Sequence, residues 1–166
     1  MIYTMGAGDE PAALMELYRF ADALGFEIVA AGKSMGGRVA SQMVAEGLLP
    51  ASRLIFLGYP LHPPGRKERV RDAHLYHIRV PMLFFAGTRD PLCDLEQLKG
   101  VLERLEAPSD LNTIEGGDHS FRLRKEADTT QQQVYDRILH TTADWLRNQY
   151  DPMNPLQTTS YGSSHR

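Results

Sequence analysis

The tightest constraint on this chain is the stretch Ile28-Val29-Ala30-Ala31-Gly32-Lys33-Ser34-Met35-Gly36-Gly37. A short apolar run leads straight into Gly-x-Ser-x-Gly, and a helix-compatible segment follows at once. Strand, sharp turn and helix in that order are the setting of a nucleophile elbow. The turn leaves no room for ordinary side chains, so Gly32, Gly36 and Gly37 are the residues that let strand and helix approach. Ser34 is expected at the apex, in a strained backbone conformation, with its hydroxyl aimed out of a sheet. The amide of Met35, first in the helix, points to where an oxyanion would form. The same letters end a phosphate-binding P-loop, but that motif needs a glycine at the position of Glu27, inside what reads as a strand. The bland alternative is a plain strand–helix connection, and the flanking elements weigh against it.

Elements on either side extend the pattern. Asp9 looks like a helix N-cap with Pro11 in the first turn, and Leu14, Leu17, Tyr18, Ala21 and Leu24 recur at helical spacing until Gly25. Strands are expected at Phe26–Ala31, Arg53–Leu57, Val80–Ala86 and Leu111–Glu115, each a short apolar run. Helices are expected from Met35 to Glu46, after Asp94, and from Thr129 to Asn148. Ile2-Tyr3-Thr4 could be a fragment of a further strand. Strands alternating with helices predict an α/β fold: a three-layer sandwich around a mostly parallel sheet. Residues 1–150 form the expected domain, and residues 151–166, polar and without an apolar period, the expected disordered tail.

Composition closes off several functions. A net charge of -3 gives no nucleic-acid footprint. No apolar run is long enough to span a bilayer, and no basic-then-apolar leader opens the chain. The lone Cys93 excludes an internal disulfide and suits a reducing compartment, so a cytoplasmic protein is expected.

A serine hydroxyl is a weak nucleophile at neutral pH. It needs a base within hydrogen-bond reach and a carboxylate to orient that base. The order nucleophile, acid, histidine accompanies this kind of elbow. Here it reads Ser34, then Asp90 in Gly87-Thr88-Arg89-Asp90, then His119 in Gly116-Gly117-Asp118-His119. Each falls just past the end of a strand, where parallel sheets place ligands. Each also has a humbler role open to it: Asp90 before Pro91 could merely start a turn, and His119 could be a surface histidine. Asp94 is a reserve acid that looks better as a helix cap, and Asp118 is expected to point elsewhere. His62, His74 and His77 are not spaced for the trio and suggest no metal site. Cys93 reads as packed or idle. Arg66, Lys67, Arg69 and Arg71 read as a solvated face, with attraction of an acidic ligand as the minority reading.

These residues resemble the alpha/beta-hydrolase superfamily. More narrowly, Gly-Lys-Ser-Met-Gly-Gly-Arg-Val-Ala-Ser followed by Leu-Gly-Tyr-Pro-Leu-His-Pro-Pro-Gly resembles a dienelactone-hydrolase-like subfamily. That subfamily includes testis-expressed hydrolase-like proteins and the hydrolase-like domain of an NSL-complex subunit. The resemblance spans roughly Phe26 to Trp145. It implies Ser34 as nucleophile, Asp90 as acid, His119 as base and the Met35 amide as an oxyanion donor. It also implies an esterase-like reaction on a small acyl substrate, with no cofactor and no metal. The family carries further strands before the elbow and a His-Gly loop that gives a second oxyanion donor. Their absence here implies an N-terminally truncated copy. The alternative that follows is a weak or inactive fragment serving as an interaction module. It would also leave Phe26–Ala31 as an apolar sheet edge, to be covered by Ile2-Tyr3-Thr4, by a homodimer or by a partner chain.

Overall fold

A computed structural model describes residues 2–5, 16, 19–21, 23–125 and 128–148. Among the described residues, five strands lie side by side in the order of the sequence, and every pairing is parallel. They are β1 (Ile2–Met5), β2 (Val29–Lys33), β3 (Arg53–Leu57), β4 (Met82–Gly87) and β5 (Ser109–Ile114). The helices are α1 (Met35–Ala45), α2 (Leu95–Leu102) and α3 (Gln131–Arg147), with a short 3-10 turn at Ala73–His77.

Parallel neighbours require crossovers, and crossovers of one hand advancing in one direction put their helices on one face of a sheet. Alternating strand residues show the result. Ala30, Leu54, Phe56, Met82 and Phe84 pack with Ala40 and Met43 of α1 and with Leu98, Val101 and Leu102 of α2. Val29, Ala31, Ile55, Leu83 and Phe85 face the other way, onto Val134, Ile138 and Trp145 of α3. The α/β three-layer fold expected from the sequence is therefore the fold observed. All six residues of β4 are buried, which is why its sequence is apolar without alternation.

The boundaries differ from the sequence reading for physical reasons. Phe26 does not begin a strand. Gly25, at φ 70°, closes the preceding helical segment, and the Phe26 amide donates back to the Ala21 carbonyl at 3.0 Å. The strand starts at Val29 and runs on through Lys33 into the elbow. β4 starts after Pro81, which has no amide to donate but whose carbonyl accepts from Leu54 at 2.9 Å. β5 begins two residues early, since pairing with β4 recruits the polar Ser109 and Asp110 that propensity alone would exclude. Asp94 caps α2 through the amides of Glu96 and Gln97, and Thr130 with Gln133 makes a capping box on α3.

The edge of β2 is covered from within the chain. Ile2–Met5 pairs along Val29–Gly32, so Ile2-Tyr3-Thr4, rather than a second chain, takes the place beside the elbow strand. The helix expected from Asp9 appears as helical residues Glu16, Arg19–Ala21 and Ala23. Its start at Asp9 and Pro11, and the tail from 151, lie outside the described residues. Among the described residues no helix is long and apolar enough to cross a membrane.

Candidate active site

The elbow is built by exclusion. A Cβ on Gly32 would collide with the backbone of Gly36 and Gly37, so the strand can turn into α1 only with glycine there. Ser34, between them, takes φ 51° and ψ -122°, a conformation that costs an L-residue on the order of 1–3 kcal/mol. It is held by its own amide, which donates to the Leu57 carbonyl of β3 at 3.0 Å. The Ser34 side chain makes no cap for α1 and is left free to project. The Met35 amide opens α1 and has no partner within the helix, as for any first-turn amide.

Two loops meet the serine. The β4–α2 loop carries Asp90 and the β5–α3 loop carries His119. They are tied together at the sheet end by the Arg89 amide on the Gly117 carbonyl (2.9 Å) and the Gly116 amide on Thr88 Oγ1 (2.9 Å). His119 Nε2 lies 2.7 Å from Ser34 Oγ, and His119 Nδ1 lies 2.8 Å from Asp90 Oδ2. A carboxylate only accepts, so Nδ1 carries the proton and Nε2 is left to accept from the serine hydroxyl. The Asp90 side chain is fully buried, and its other oxygen accepts from the Leu92 amide at 2.8 Å. Three residues that the sequence separates by up to 85 positions thus form one continuous hydrogen-bonded line.

Asp94, Asp118 and His62 are engaged elsewhere. Asp94 bonds its helix cap and Lys67 Nζ at 2.7 Å, and that lysine bond holds its carboxyl below the usual range. Asp118 turns back to the amides of Ser120 and Arg122, as expected of a side chain facing away from the trio. Burial, with Asp90 and Asp94 nearby, pushes the Cys93 thiol up to about 12, so it stays protonated and inert. His62 bonds the Pro63 carbonyl and the Asp94 amide. Lys67 apart, Arg66 and Arg69 stand in solvent and Arg71 is half-buried, none with a carboxylate partner among the described residues. No cluster of metal-ligating residues occurs among the described residues.

One arrangement escaped the sequence reading. Tyr59, in the loop after β3, is buried, and its hydroxyl lies 2.8 Å from His74 Nε2 and 3.1 Å from Ser41 Oγ. Ser41 Oγ also lies 2.8 Å from the same imidazole nitrogen. Burial raises the Tyr59 hydroxyl above its ordinary range and lowers His74 to about 4, helped by Arg38. The triangle ties α1 to the loop after β3 and to the 3-10 turn. No spacing in the sequence links residues so far apart; the weak signal was a serine on the buried face of α1.

A parallel sheet with a strained serine at one strand end, backed by histidine and buried aspartate, has the layout of an α/β hydrolase. The chain belongs to the alpha/beta hydrolase domain family, which its residues 12–147 match. Solved structures agree in fold. A predicted CIB-like hydrolase from Thermoplasma acidophilum shares 21% identity at a TM-score of 0.56, over 85% of this chain and 61% of that one. Dienelactone hydrolase from Anabaena variabilis shares 18% at 0.60, over 82% and 58%. Esterase 2 from Thermogutta terrifontis, solved phosphoramylated by tabun, shares 25% at 0.60, over 82% and 61%. The chain thus spans about three fifths of the length of these structures.

Proposed function

We propose that this chain is a serine esterase acting on a small acyl substrate through Ser34, His119 and Asp90. His119 Nε2 takes the proton of the Ser34 hydroxyl as Oγ attacks the carbonyl carbon. The developing oxyanion turns towards the Met35 amide, at the positive end of α1. The imidazolium then protonates the leaving alcohol, and Asp90, buried and hydrogen-bonded, stabilises its charge. Water releases the acyl group by the same steps in reverse roles. The observation that carries this reading is the unbroken line from Ser34 Oγ through both imidazole nitrogens to Asp90, at 2.7 and 2.8 Å. The two long motifs around Ser34 and Tyr59 further support placement in the dienelactone-hydrolase-like subfamily, and the single cysteine supports a cytoplasmic setting.

A fluorophosphonate probe tests it. The folded chain should be labelled, and Ser34→Ala should abolish the label. A folded chain that takes no label at Ser34 would refute the esterase and leave the interaction module.

A further inference from the structure

A cavity is lined by the chain neighbours of two members of the trio. A pocket of about 500 Å³ opens on the α3 face of the sheet. Lys33 and Ser120 are among its lining residues, and these are the chain neighbours of Ser34 and His119. Leu57 at the end of β3, Phe121, and Tyr135, Ile138 and Leu139 of α3 form its walls. Its place follows from strand alternation: Lys33 and Leu57 both fall on the side of β2 and β3 that faces α3, like Ala31 and Ile55 before them.

Two features mark this pocket. Leu139 is 66% exposed and Tyr135 45%, one helical turn apart on α3 and both turned to the cavity rather than the core. Phe121 holds φ 62°, a strained value for a bulky residue, with its amide on the Asp118 carbonyl at 2.8 Å. That turn leads the chain from the His119 loop to Phe121, which is buried in the core under α3 and also lines the pocket.

Resting on the reading of Ser34 as nucleophile, we propose that this pocket receives the acyl chain of a medium-length, uncharged aliphatic ester, roughly six to ten carbons. Groups of about water's ~30 Å³ each would then fill around half of the cavity. The walls decide the chemistry. Lys33 and Arg122 stand at the pocket as exposed cations, and Lys33 Nζ already bonds Ser120 Oγ at 3.2 Å. Exposed charges attract an anion weakly, whereas drawing a carboxylate past apolar walls is unfavourable. A fully buried methylene is worth about fourfold in affinity; with one side of the pocket open, about twofold is expected.

The test is the chain-length dependence of kcat/KM for p-nitrophenyl esters from acetate to decanoate, on the purified chain. The octanoate-to-acetate ratio should reach about 60-fold, from about twofold per methylene. Leu139→Glu should cut that ratio at least tenfold, and Tyr135→Ala should cut it severalfold. Leu48→Glu, at an exposed apolar position away from the pocket, should leave it unchanged. A flat series with Ser34-dependent acetate turnover overturns the acyl pocket and spares the esterase. An octanoate preference untouched by both wall variants overturns it too. A folded chain with no Ser34-dependent turnover removes the esterase, and this pocket with it.

Discussion

Gly58 offers a direct test of what keeps the imidazole in place. It lies between β3 and Tyr59 at φ 67°, and a Cβ built there would sit 2.8 Å from the His119 carbonyl oxygen. The same Cβ would sit 3.5 Å from the ring atoms Cε1 and Nδ1. Comfortable carbon contacts begin at about 3.5 Å, so Gly58→Ala must displace the His119 loop by about 0.7 Å. A 1 Å misplacement in an active site costs about a hundredfold, so kcat should fall about ten- to a hundredfold. The left-handed φ itself costs about 1–2 kcal/mol, a loss of about 2–8 °C in Tm for a domain of this size. Gly65 separates the two effects. It has the same φ of 67° but nothing within 4 Å of its added Cβ. Gly65→Ala should therefore lower Tm and leave kcat alone, while Gly58→Ala lowers both. Ester hydrolysis under saturation and thermal melts of both variants make the comparison. If Gly58→Ala keeps the parent kcat, the loop after β3 does not set the position of His119 and the reasoning fails.

Asp90→Asn keeps the shape of the site but can donate to His119 Nδ1, favouring the wrong tautomer; kcat should fall by about 10⁴ with Tm little changed. Loss of less than tenfold would show that Asp90 does not orient the base. A second expectation concerns acid. His74 is held at about 4, chiefly by burial and then by Arg38 and His77, with Asp72 opposing. Its ordinary value is 6.5, so the unfolded chain binds this proton first. Stability conferred by neutral His74 is complete above about pH 6.5 and is lost as pH falls from there to about 4. Because the ring is only partly buried, about 1–2 kcal/mol is the expected share after screening. His74→Asn should flatten the fall in Tm between pH 6.5 and 4; an unchanged slope would remove His74 from the acid response.

The sequence alone determined whatever is encoded within a few residues. The elbow is local, because Gly32, Ser34 and Gly37 must lie within one turn for strand and helix to touch. Strand ends read at Ala86 and Glu115 fell within one residue of the observed Gly87 and Ile114, because apolar runs stop where turn formers begin. That placed Asp90 and His119 at the same end of a parallel sheet, which is why the trio could be named before any coordinates. Boundaries slipped where tertiary contact overrode propensity: β5 took in Ser109 and Asp110 only because β4 offered a ladder. The tertiary structure alone decided the rest. Ile2–Met5 covers the elbow strand through partners more than twenty residues away. Tyr59, Ser41 and His74 meet across 33 positions with no shared period. The pocket exists only because β2, β3, the His119 loop and α3 converge. Such features depend on distances between separate elements, and a chain specifies those only once its cores have packed.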